Sequence, residues 1–167
     1  MMSVLGLSGQ TRYAFVDMEF ILKNVPDYGK AKEELNAYSL KLQTELDSIY
    51  KAINELQEKY VADKVFLTPV MRDKREKEIA DKENKAQLLQ QNYFGPKGEL
   101  YKRREELMRP IFDEINEIIR DIAKDGNFGG IWDVSVEKSI VYFDPKLDRS
   151  ALVLKKMGYS PEKAASE

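Results

Sequence analysis

The side chains able to do chemistry are few in kind. The 167-residue chain has no histidine and no cysteine. A serine or cysteine nucleophile with an imidazole base is therefore excluded, as are thiolate chemistry and zinc sites built from Cys and His. Carboxylates remain. Asp113 and Glu117 stand one helical turn apart, but on so charged a helix they read as solvated salt-bridge partners rather than an acid/base pair. Asp17 and Asp144 sit beside β-rich runs, where capping and turn formation explain both. Gly126-Asn127-Phe128-Gly129-Gly130 is glycine-rich but lacks the Lys-Ser/Thr ending of a phosphate loop, so it reads as a turn. Asp121, Asp125 and Asp133 lack the ligand density and terminal Glu of a calcium loop. No catalytic residue, cofactor site or metal site is predicted. The chain reads as a non-enzymatic binding protein.

The elements that position these residues follow from composition and spacing. Charged residues make up 34% of the chain, 27 basic against 29 acidic, for a net charge of -2. They concentrate between Gly29 and Lys124, where the signs nearly balance, as on a solvated helix surface with i,i+4 pairs. This balance gives no global pull toward nucleic acid or anionic membrane. No apolar run approaches the roughly 20 residues that span a bilayer. Met1–Gln10 carries Val4, Leu5 and Leu7 without a basic stretch and is too short for a signal peptide. Residues 1–10 and 160–167 are expected to be flexible ends.

Arg12 to Asp17 is rich in β-formers and predicts a short strand. Asp17 then caps a brief helix through Met18, Phe20, Ile21 and Leu22, which Pro26 ends. From about Tyr28, apolar residues fall at Leu35, Tyr38, Leu42, Leu46, Ile49, Ile53, Leu56 and Tyr60. These gaps of 3 or 4 place one narrow stripe along a single helix. Such a helix is about 55 Å long at ~1.5 Å per residue. It is too long and too polar to bury in a globule of this size, so it is expected to project. Val65–Val70 predicts a turn, with Thr68 as N-cap and Pro69 at the first helical position. A second helical run extends from Met71 to about Lys124, and the short turn makes the two runs antiparallel neighbours. Phe94-Gly95-Pro96-Lys97-Gly98 should break or loop out that run, and Pro110 should kink it. After Lys124, Ile131–Val134 and Ser139–Phe143 predict a β-hairpin. A last helix is expected from Asp148 to Met157, stopped by Gly158.

The predicted fold class is α+β, mostly α. A long antiparallel helical hairpin (28–124) stands on a small β-containing body (11–27 and 125–159) with a short C-terminal helix. Three strands and one small helix make a core that needs partners, and with no cysteine available oligomerisation is the remaining staple. Bases gather near the hairpin turn at Lys59, Lys64, Arg72, Lys74, Arg75, Lys77, Lys82 and Lys85, largely offset by neighbouring acids. That tip reads as a solvated face, or as a weakly basic tip touching acidic clients or lipid headgroups. Apolar residues off the helix seam, Tyr50, Val61, Val65, Phe66, Leu67, Leu88, Tyr93 and Phe94, are the candidate contacts for a bound partner.

The ordered set is a strand ending Val16-Asp17, the charged helical hairpin, and Pro110-Ile111, Ile118 and Ala123 before Gly-Asn-Phe. Tyr142-Phe143-Asp144-Pro145 and Asp148 follow. From Arg12 to Tyr159 this set resembles the Skp/OmpH periplasmic chaperones, and the Phe94–Gly98 insertion is similar to the form in Bacteroidetes members. The resemblance implies a homotrimer: a β-barrel body from three subunits, with coiled-coil tentacles around a cavity. Its body would use Phe15, Val16, Ile131, Trp132, Val134, Ile140, Val141 and Phe143. It also implies an ATP-independent holdase that keeps unfolded outer-membrane proteins from aggregating in the periplasm. Two rival readings are a structural coiled-coil scaffold binding one specific partner and a prefoldin-like holdase. The strand order fits the second poorly.

Overall fold

The alternating run Arg12-Tyr13-Ala14-Phe15-Val16 forms strand β1 (Arg12–Val16), with Ala14 and Val16 buried and the intervening side chains turned outward. In this computed structural model, which describes residues 11–136 and 140–160, the chain forms two compact units. One comprises Met1–Lys30 with Arg109–Glu167, the other Ala31–Met108.

In the first unit β1 is followed by helix α1 (Met18–Lys23) and the start of α2 (Pro26–Asp63). Asp17 caps α1 as expected, its carboxylate accepting from the Phe20 N–H at 2.9 Å. Pro26 opens the long helix rather than merely ending the short one, because its fixed φ suits the first helical turn. The unit closes with the end of α4 (Glu99–Asp125), strand β2 (Phe128–Asp133) and helix α5 (Ser150–Lys156).

β1 and β2 pair in parallel, Tyr13 opposite Gly130, Phe15 opposite Trp132 and Val16 opposite Asp133. The register slips between Arg12 and Tyr13, leaving Gly129 as the extra residue. A Cβ there would meet the methyl of the exposed Thr11 side chain, which a larger residue would have to displace. The expected hairpin of Ile131–Val134 with Ser139–Phe143 is corrected here. Ile140 to Phe143 form no strand, Ser139 lies outside the described residues, and β2 starts earlier, at Phe128. The free side of β1 is met instead by the Arg149 N–H, which donates to the Phe15 carbonyl at 2.8 Å. Phe143 contributes its ring, 4.7 Å from that of Phe15. The described sheet thus has two strands, not three.

The core of this unit joins Val16, Ile21, Val25, Ile115, Ile122, Val153 and Leu154, with Ile111, Ile118, Phe128 and Ile131 packed against it. The isoleucines at 3- and 4-residue spacing on α4 supply one wall. They explain why residues 109–124, expected with the helical hairpin, group with the β elements. α4 runs through Pro110 as one helix.

The second unit contains the rest of α2, helix α3 (Pro69–Phe94) and the first residues of α4. Thr68 caps α3 through the Met71 N–H, with Pro69 at the first position, as the sequence predicts. The second helical run breaks where glycine and proline cluster. Gly95 N–H closes on the Gln91 carbonyl at 2.8 Å and Gly98 N–H on Gly95 at 2.9 Å. The loop lies tightly on the end of α3, and a Cβ on Gly98 would come within 2.7 Å of the Asn92 and Tyr93 carbonyls. The buried side chains here are those of Ala31, Leu42, Leu46, Ile53, Ala86, Tyr93 and Met108. From Asn54 to Lys85 no residue is buried.

Candidate functional site

The polar side chains of unit one are consumed by structure. Ser150, 1% exposed, donates its hydroxyl to the Asp148 carboxylate at 2.6 Å and accepts from the Asp17 N–H at 2.8 Å. Asp133 accepts from the Met18 and Ser135 N–H groups. Asp144 caps the short turn Pro145–Leu147 through the Lys146 N–H. Asp125 pairs with Lys156 at 3.0 Å and Asp121 with Lys124 at 3.7 Å. Asp113 and Glu117 are exposed. Among the described residues no group of carboxylates could hold a metal ion.

The residues expected to build an oligomerisation body divide in two. Val16 is buried in the core, Ile131 packs against it, and Phe15, Val134, Ile140 and Phe143 are half-buried. Trp132 and Val141 instead face solvent, together with Tyr13, Val136 and Tyr142. The last three were missed by composition alone. An exposed tyrosine or valine is ordinary, and only the folded chain shows that these side chains, like Trp132 and Val141, remain exposed.

In unit two a series of side-chain bonds links the helices. Arg103 meets Glu34, the Tyr38 hydroxyl donates to Glu99 at 2.9 Å, and the Tyr50 hydroxyl to Gln90 at 3.1 Å. Gln57 bonds Glu83 at 2.5 Å, and Tyr60 donates to Glu76. As the position on α2 rises, its partner's number falls. Each bonded carboxylate holds its tyrosine's proton. Glu99 raises the Tyr38 pKa above the usual 10.0, Glu76 does the same to Tyr60 and Glu45 to Tyr93, with burial adding to each. A phenolate beside a carboxylate is the disfavoured form.

The candidate contact residues of unit two also divide. Val61, Val65, Phe66 and Leu88 are exposed, and Tyr50, Leu67 and Phe94 are half-buried. Tyr93 is buried against the seam and lies edge-on to Phe94 at 6.3 Å, so it offers no free surface. Exposed Leu40, Val70, Met71 and Tyr101 join the apolar surface. The turn signal Thr68-Pro69 could have placed Val70 and Met71 beside Phe66. What the arrangement can do is bind apolar matter weakly at scattered points. An open groove of about 540 Å³ is lined by Glu34, Ala37, Tyr38, Lys41, Glu99, Lys102, Arg103 and Glu106, where Arg103 pairs with Glu34 and Tyr38 with Glu99.

This is the architecture of a binding protein with a small α/β unit and long charged helices. The chain belongs to the OmpH-like outer membrane protein family, whose model matches residues 12–157. It is 27% identical over 161 residues to an uncharacterised protein of Aquifex aeolicus (strain VF5), spanning 92% of this chain and 90% of that one. It shares its fold with a crystal structure from Caulobacter crescentus CB15, described as a proposed outer membrane chaperone (OmpH-like). The TM-score is 0.70 at 12% identity, over 94% of each chain. No helix of the described residues is long and apolar enough to cross a membrane.

Proposed function

We propose that this chain is an ATP-independent, non-enzymatic holdase that binds unfolded outer-membrane proteins in the periplasm and keeps them from aggregating. The observation that carries the reading is the surface of unit two. Leu40, Val61, Val65, Phe66, Leu88 and Tyr101 are exposed among dense, mixed charge. Scattered apolar points suit many partners rather than one.

In this reading unit two is an antiparallel coiled-coil arm, supported by the opposed numbering of the bonds from Glu34–Arg103 to Tyr60–Glu76. Unit one is the oligomerisation body, and three copies form the working particle. Its two-stranded parallel sheet is marginal alone, and Trp132, Val141 and Tyr142 offer apolar surface for a neighbouring copy. Many feeble contacts on several arms then add through effective concentration, and release follows when the client folds or inserts.

The test is light scattering as a urea-unfolded outer-membrane β-barrel is diluted into buffer, with and without the chain and without nucleotide. Scattering suppressed at a fixed chain-to-client ratio is the expected result. Unchanged scattering with a folded, oligomeric sample sinks the reading in favour of a scaffold for one specific partner.

A further inference from the structure

Within unit one the aspartates that cap helices, close turns or pair with lysines are spent, and Glu19 and Asp27 likewise pair with Lys23 and Lys30. Of the described carboxylates of the unit, Asp113, Glu114 and Glu117 remain. All three are exposed on α4, with no hydrogen bond or ion pair among the described residues. Arg120, three residues beyond Glu117, does not bond it. Asp113 and Glu117 stand at i,i+4, where like charges repel. Ile111, Ile115, Ile118 and Ile122 turn the other side of α4 into the core, so the acids look away from it.

A pair of cations is left over in the same way. The Arg12 and Arg149 guanidiniums both lie over the Phe128 ring, 5.0 and 5.3 Å from its centroid. Arg12 donates to the Gly126 carbonyl at 3.1 Å, and Arg149 to those of Lys146 and Asp148 at 2.7 and 2.9 Å. Neither meets a carboxylate among the described residues. A guanidinium carries five N–H donors in a fixed fork, so each keeps donors to spare, already held in place by ring and carbonyl. Glu117 precedes Gly126 by nine residues. That is about 13 Å along the helix, so the two sets stand apart within one copy.

We propose that the Arg12 and Arg149 pair of one copy receives the Asp113, Glu114 and Glu117 face of α4 from a second copy. The inference rests on the reading of unit one as the oligomerisation body and names a charged contact within it. Charge complementarity selects the occupant. A carboxylate is what a guanidinium fork binds in two parallel bonds, and these three are the described carboxylates of the unit still unspent. A cation from outside also relieves the repulsion along α4. Joining unlike patches is a head-to-tail contact, the kind that closes copies into a ring. Such pairs fix register between copies more than they add bulk affinity.

The test reads the mass of the full chain by light scattering over a dilution series. Asp113→Lys, Glu114→Lys and Glu117→Lys together should raise the concentration of half-dissociation about tenfold or more, since like charges then face each other. These positions are exposed, so circular dichroism should show the variant folded. Adding Arg12→Glu and Arg149→Glu to the same chain should restore association, because the pairing returns with its signs exchanged. Both arginines also touch Phe128, and should their replacement unfold unit one, the acid-face variant decides alone. Its association should then strengthen with added salt, where that of the unchanged chain weakens. An acid-face variant with an unaltered half-dissociation point overturns the proposal and leaves the oligomer reading standing. So does a folded five-change chain that stays as dissociated as the acid-face variant. An unchanged chain that runs as a single copy at every concentration overturns both.

Discussion

Ser150 shows how one small side chain can tie distant segments. Its hydroxyl satisfies the Asp17 N–H, 133 residues away in sequence, and is itself satisfied by Asp148. Replacing it with alanine orphans a part-buried N–H, which costs roughly 1–3 kcal/mol. Urea unfolding of Ser150→Ala should show that loss in its midpoint, and an unchanged midpoint would mean that water replaces the bond. Ile115, fully buried, is a second sensitive point. Ile115→Ala removes methyl groups and leaves a cavity, for an expected loss of about 2–5 kcal/mol by the same measurement. The capping roles of Asp17 and Thr68 are legible from sequence because each acts within three residues of itself. Ser150 is not, because its partner lies in another element.

At the scale of elements, the interhelix bonds of unit two set a pH limit. Tyr38, Tyr60 and Tyr93 have folded pKa values raised above the ordinary 10.0, chiefly by hydrogen bonds to Glu99, Glu76 and Glu45. A group whose folded pKa is raised contributes fully below its unfolded pKa, and that contribution is lost as pH rises through the folded value. Helix loss should therefore begin above about pH 10, not in the acid or neutral range as far as these phenols govern it. Changing all three to phenylalanine should remove this alkaline step from the far-ultraviolet dichroism. A step of unaltered midpoint would assign it elsewhere. The absence of any buried residue from Asn54 to Lys85 has a separate consequence. Amides of Val70–Lys85 should exchange with deuterium faster than those of Leu42–Ile53, whose side chains include three buried apolar residues. Equal protection would require stabilisation of this stretch by another copy.

For the whole molecule, the proposed trimer predicts a concentration-dependent melting temperature and the mass of a trimer in light scattering after chromatography. Val141→Glu and Tyr142→Glu, both at exposed positions, should shift the mass to that of a single chain if this surface joins copies. Retention of the trimer mass would move the interface elsewhere. Unit one, with its two described strands, is the part whose stability should fall most when the copies separate.

The sequence by itself determined the elements whose causes are local. Apolar spacing of 3 and 4 along Leu35–Tyr60 draws one long helix, and Thr68-Pro69 marks where the next begins. Gly95-Pro96 marks its break, since proline has no donor and Gly98 must lie flat on the end of α3. The absence of histidine and cysteine removed whole classes of chemistry. Tertiary structure alone decided the pairing of β1 with β2. A parallel register joins residues more than a hundred positions apart, and strand propensity in Ser139–Phe143 says nothing about whether a partner edge is free. It also decided which apolar side chains are spent and which remain open. Tyr93 and Phe66 look equally available in sequence, yet the first fills the seam and the second faces solvent. Burial depends on which surfaces meet, and that is a property of the assembled chain rather than of any stretch of it.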